Sequence, residues 1–200
     1  MNQARLILFV GASLVVASLA VKVDAGAAPA TSTTARCDGA LWPLKTLSDP
    51  ARKSVQIAPP KTTAIQALVT RPRPQPIPTR RTTSFQKRTW EVVASVDSFR
   101  LDHGELRLLL FDHGAYVNAV VPLPSCLPAN ARERRSMTAV WSKFVSKCGH
   151  ATDEWQPLGA VAYVRGVGFW NASHGGRGMA SNGAELHPLT SFRPVAGCGS

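Results

Sequence analysis

Between Gly166 and Pro188 the chain gathers side chains that can move protons, hold anions or ligate metals. His174, Arg177, Asn182, Glu185 and His187 stand close together there among glycines. Glycine lets backbone N–H groups approach an anion, and histidine beside glutamate suits proton transfer or metal ligation. This set predicts a ligand-binding mouth. With Asp97 and Asp112 added, it is also the material of a metal-dependent hydrolase acting on phosphodiesters, which is the alternative reading. A structural role competes with both: an ordered glycine-rich loop needs positive φ and internal polar anchors of just these kinds. The order His174, Asn182, His187 superficially matches His-Asn-His nucleases, but no helical pattern follows His187 to complete their metal unit. No Gly-x-Ser-x-Gly elbow is present, so a serine triad has no start. No cofactor motif is read, and without a Cys-x-x-Cys or close Cys/His pair a zinc site is disfavoured.

A second chemical feature is basic. Arg71, Arg73, Arg80 and Arg81 lie in a stretch with prolines at 72, 74, 76 and 78, without an acid from 71 to 88. Alternating proline favours an extended backbone. A flexible polycation neutralises phosphates or other anions without sequence preference. The chain has 200 residues and a formal net charge of +11. Residues 26–88 hold eleven bases against Asp38 and Asp49, whereas 89–200 are close to neutral. The charge therefore describes the stretch before residue 89. It points to an anionic partner, an envelope polymer or a nucleic acid, reached through an extended basic arm. Aromatic side chains, at 7%, are sparse for a single-strand nucleic-acid platform.

The elements that must position these groups begin at Thr89. Trp90, Val92, Ala94 and Val96 alternate with their neighbours, the period of a strand. Leu106, Leu108 and Leu110 begin a second strand, and Tyr116–Val121 a third, with turn residues at 102–104 and 112–114. Met137, Val140, Trp141, Phe144, Val145 and Cys148 form one apolar helical stripe, with Asn130 and Glu133 at capping-box spacing and Gly149 as a stop. Leu158–Val167 reads as a fourth strand, 168–183 as a long loop, and Ala184–Phe192 as a fifth strand in which Pro188 marks an edge or an end. Three strands, a helix and two strands predict a mainly β fold. It is a small five-stranded barrel of the oligonucleotide/oligosaccharide-binding (OB) type, its mouth made by 100–104 and 168–183. The domains are then 1–25, 26–88 (linker and basic Pro-rich arm) and 89–200 (barrel).

The first 25 residues read as an export signal. Arg5 precedes an apolar run from Leu6 to Val21, shorter than a spanning helix needs, and small residues follow near Ala25. A secreted or cell-envelope location follows, with no stable membrane insertion after cleavage. In an oxidising compartment Cys37, Cys126, Cys148 and Cys198 are expected in two disulfides. Four cysteines allow three pairings. The preferred one joins Cys126 to Cys148, provided 127–129 fold back along the helix, and Cys37 to Cys198.

Three segments carry a family resemblance: Leu110-Phe111-Asp112-His113-Gly114-Ala115-Tyr116, Trp155–Tyr163, and Gly166-Val167-Gly168-Phe169-Trp170 continuing through His174-Gly175 to Asn182–Pro188. Together they resemble a family of uncharacterised bacterial secreted proteins with the signature GVGFxD…HGQxGxAxNxxELHP. The resemblance spans about 41–198 and implies no activity. Asn171 and Gly176 depart from it, standing where the family often has Asp and Gln.

Overall fold

The computed structural model describes residues 37–172 and 175–199. The expected export segment lies outside them. Nine helices and strands, joined by loops and 3₁₀ turns, follow in chain order: α1 (Trp42–Lys45), β1 (Gln56–Thr62), α2 (Ile65–Val69), β2 (Arg88–Asp102), β3 (Glu105–Asp112), β4 (Ala115–Pro122), α3 (Arg134–Cys148), β5 (Gln156–Trp170) and β6 (Ala184–Ala196). The sheet order is β1-β2-β3-β4-β6-β5, and β5 pairs back onto β2, closing a ring. Within that ring β4 and β6 are parallel and the other neighbours antiparallel. Five ring strands with the helix between the third and fourth give the OB-type barrel expected from the strand string.

Alternation decides which residues fill it. Leu106, Leu108 and Leu110 of β3, with Val117, Ala119 and Val121 of β4, point inward and are buried in the main core. α3 closes one end through Met137, Val140 and Phe144, the last packed 4.9 Å from the Phe99 ring and 5.6 Å from Phe192. α2 closes the other through Ile65 and Leu68, beside Phe85, Trp90 and Trp170. At this end the Phe85 carbonyl crosses Gly168 so closely that any Cβ there would overlap it. α3 starts later than the capping-box spacing predicts. Glu133, not Asn130, is the N-cap, in left-handed conformation at φ 63°, and its carboxylate accepts a hydrogen bond from Ser136 Oγ at 2.7 Å. Pro188 lies inside β6 rather than at its end, where the register with β5 slips between Arg165 and Gly168, so no ladder donor is missed.

The separate arm over 26–88 is corrected for its described part. The described residues, from Cys37 onward, belong to one compact unit. β1 runs parallel to β2 along the edge that β3 does not reach, pairing Gln56 with Arg88 and Thr62 with Glu91. Arg81 is buried: its Nε donates to Asp49 at 2.9 Å, and its guanidinium also reaches the carbonyls of Gln86 and Leu44. The Arg132 guanidinium donates to the carbonyls of Arg52 (2.8 Å) and Val55 (2.9 Å). Leu47 and Val55 pack on Val167 of β5. These anchors are long-range, so local composition does not reveal them.

The disulfide pairing is also corrected. Cys37 bonds Cys126, and Cys148 bonds Cys198. Cys126 ends a turn after β4, and the 15-residue α3 carries Cys148 about 22 Å further on. Residues 127–129 do not fold back along it. The helix end instead meets the chain after β6, where Gly199 N–H donates to Lys147 O at 2.8 Å. Two disulfides suit an extracellular or periplasmic protein. Among the described residues no helix is long and apolar enough to cross a membrane.

Candidate functional site

The side chains that point away from the core on β3, β4 and β6 make one continuous outer face. Strand register sets its rows: Phe111 beside Tyr116, Leu109 beside Asn118 and Glu185, then Arg107 beside Val120. On barrels of this type the face of the second and third strands, here β3 and β4, is where oligomers bind.

One half of the face is buried and charged. Arg107 Nη1 reaches Glu185 Oε1 at 3.1 Å, with Asp102 at 3.5 Å and Glu105 at 3.9 Å. His187 Nε2 lies 3.0 Å from Glu105 Oε1, and its Nδ1 lies 3.8 Å from Glu185 Oε2. Asn171 Nδ2 donates to Glu185 at 2.8 Å, and Lys45 of α1 bonds Glu105 at 3.0 Å. Glu105, Glu185 and His187 are nearly solvent-free, at 3%, 1% and 0% exposure. Burial works to raise the Glu105 carboxyl, but His187, Lys45 and Arg107 outweigh it and hold it at about 2. Burial of Glu185 is likewise outweighed, by His187, Arg107 and the Asn171 amide, again to about 2. Both carboxylates stay ionised, which buried acids do only with such partners. The network joins α1, β3, β6 and the segment after β5.

The other half is open. The Phe111 and Tyr116 rings are 4.7 Å apart, and Tyr116 is 41% exposed. Asp97, Leu109, Tyr116, Arg177 and Gly178 line a hollow of about 230 Å³. Arg177 pairs with Asp97 at 3.2 Å and lies 5.4 Å from the Trp155 ring centre, with Arg100 at 5.1 Å from the same ring. Gly178 has φ +69° and sits so close to Leu109 that a side chain there would collide with it. That contact seats the β5–β6 loop on the face. Beneath it the Asn118 amide is buried without a hydrogen-bond partner among the described residues.

The four described members of the expected ligand set are therefore dispersed. Among them only Arg177 is on the open hollow. Glu185 and His187 belong to the buried network, and His174 lies outside the described residues. Asn182 is a clamp: its Nδ2 donates to the carbonyls of Leu68 (2.9 Å) and Arg71 (3.0 Å), and its Oδ1 accepts from Ala184 N–H (3.0 Å). Asn182→Ala is expected to cost about 2 kcal/mol by stranding these groups. A lower urea midpoint, with faster amide exchange confined to 65–71, checks it. The four expected arm arginines also separate. Arg71 is half-buried on Trp90, Arg73 half-buried, Arg80 exposed and Arg81 buried with Asp49.

The acids of the hydrolase reading are apart as well. Asp97 pairs with Arg177, Asp112 with His113 and Glu185 with Arg107. Among the described residues no three His, Cys, Asp or Glu stand together as metal ligands. Sequence reasoning missed Glu105 and Arg107. The signal was two charges on the same face of a strand as Leu109 and Phe111, which marks an outer face that is partly covered.

No protein-family profile and no curated protein matches the chain. Among the solved structures similar to it are three of different kinds. One is a Leishmania major protein assigned as an aspartyl-tRNA synthetase (12% identity, TM-score 0.42), where the match covers 70% of this chain and 21% of the other, so this chain spans about a fifth of its length. Another is an OBody bound to hen egg-white lysozyme (11% identity, TM-score 0.42, covering 72% and 100%). The third is the S. pombe Stn1-Ten1 complex (16% identity, TM-score 0.34, covering 54% and 57%). The fold assignment rests on strand order and register, and the chain is a mainly β, OB-like barrel.

Proposed function

We propose that this is an exported binding module that takes an acidic polysaccharide across the open half of the β3–β4 face. The observation that carries the reading is the exposed Tyr116 ring stacked beside the half-buried Phe111, with the half-buried Trp155 ring lying against Arg100 and Arg177. Aromatic faces suit sugar rings, which carry an apolar side. The arginines suit carboxylates, where bidentate pairing is strong. Asp97 and Asp112 along the same edge favour a polymer of low charge density over a continuous phosphate backbone. Export is supported by the apolar run at 6–21 and by two disulfides. The family resemblance of the motifs in 110–188 fits the same setting.

Oligogalacturonate titrated into the purified protein tests the reading by calorimetry. Tyr116→Ala and Arg177→Ala should each weaken binding about tenfold without lowering the melting temperature, since both side chains are exposed. Binding that both variants leave unchanged, or an absence of saturable binding, rejects it.

A further inference from the structure

A cleft of about 660 Å³ lies between the Pro59–Pro60 bulge of β1 and the start of β2, lined by Lys61, Arg71, Ser84, Arg88 and Trp90 among others. Its three cations face it without a carboxylate among the lining residues. Among the described residues two other covered cations are anchored by acids, Arg81 by Asp49 and Lys45 by Glu105. Here an aromatic ring does the anchoring. Arg71 lies 4.1 Å from the Trp90 ring centre and 5.4 Å from that of Phe85, and Lys61 lies 5.5 Å from Trp90. A ring quadrupole positions a cation without neutralising it. Trp90 is itself fixed, 3% exposed, its indole N–H donating to Phe85 O at 3.0 Å. Asn182 holds the Arg71 carbonyl. Burial lowers the Arg71 pKa, no acid lines the cleft to oppose it, and its Nε is buried without a hydrogen-bond partner among the described residues.

We propose that this cleft is a second binding site, for a tetrahedral oxyanion of the phosphate class, held by Arg71, Lys61 and Arg88 with the Ser84 hydroxyl as a further donor. Three separate cations and a hydroxyl suit a dianion with several acceptor oxygens better than a carboxylate, which one arginine satisfies through two parallel bonds. The volume exceeds that of a lone phosphate, leaving room for a small organic group esterified to it. The site shares no residue with the open half of the β3–β4 face and stands whether or not that face binds a saccharide.

Inorganic phosphate and glycerol 3-phosphate, each titrated into the disulfide-bonded protein at constant ionic strength, provide the test. Saturable binding of either is expected, and tighter binding of glycerol 3-phosphate identifies an esterified group as the ligand. Arg71→Gln and Lys61→Gln should each weaken it about tenfold, the loss of one charge-assisted hydrogen bond. Arg80→Gln, an exposed arginine outside the cleft, should not. Lys61 is exposed, so its variant reads the site even if the Arg71 variant folds poorly. Absence of saturable binding for both anions, or an equal loss in Arg80→Gln, overturns the proposal.

Discussion

Arg107→Met is expected to destabilise the protein by about 3–5 kcal/mol at neutral pH, the range for removing one partner of a buried ion pair. Arg107 faces Glu185, Asp102 and Glu105, and the first and last of these are almost without solvent contact. Methionine fills similar volume but leaves the carboxylates facing one another. The effect should shrink in acid. In the native protein burial is outweighed, and His187, Arg107 and their other partners hold the Glu105 and Glu185 carboxyls at about 2, below the usual carboxylate range. A folded-state pKa below the unfolded one adds stability that is complete above about pH 4.5 and lost as pH falls toward 2. Each carboxylate contributes about 3 kcal/mol on this basis, with strong coupling between the two. Without Arg107 both carboxyls rise, protonate sooner and cease to repel. Urea midpoints of the two proteins should therefore converge as the pH falls from about 4.5 toward 2. A constant gap across that range would show that Arg107 acts by packing alone.

Loss of either disulfide is the second large effect. The bonds span 89 residues (Cys37–Cys126) and 50 residues (Cys148–Cys198). Loop-closure entropy assigns them about 4.5 and about 4 kcal/mol. The two losses should differ in place. Without Cys37–Cys126 the segment carrying α1 is freed, so the Lys45–Glu105 contact and the cover over the charged network loosen together. Without Cys148–Cys198 the end of α3 and the tail of β6 part, while the network stays closed. Paired Cys→Ser variants, followed by unfolding and by amide exchange at 105–107 and 185–187, separate the two patterns. Non-reducing peptide mapping should recover 37–126 and 148–198. A 126–148 peptide would refute the connectivity.

Strand identity was legible because alternation in 89–121 and 156–192 serves a barrel interior that admits only apolar side chains. The helix was legible for the same reason, in its Met137-Val140-Phe144 stripe. What was not legible depended on contacts between distant parts of the chain. Residues 41–62 fall within the expected linker and arm of 26–88, whose basic residues and alternating prolines suggest extended chain. β1 pairs only through a bulge, and α1 is held by Lys45 and by the Arg81–Asp49 pair. Once that segment is known to cover the outer face, Glu105, Arg107, Glu185 and His187 change from surface residues to a buried network. The loop from 168 to 183 was recognised as a polar, glycine-rich unit. The partner of Asn182, however, is the backbone of Leu68 and Arg71, more than a hundred residues earlier.

The place of β6 in the ring has a consequence for how the molecule is made. The last strand in sequence lies between β4 and β5, so both depend for a partner on residues 184–196. Until those residues emerge during synthesis, β4 and β5 each present an unsatisfied edge. The pairings that close the ring join distant positions, which slows folding relative to a hairpin-only sheet. A chain stopped short of Ala184 would be an aggregation-prone open sheet rather than a smaller barrel. Closure of the ring therefore waits until residues 184–196 are available to both strands.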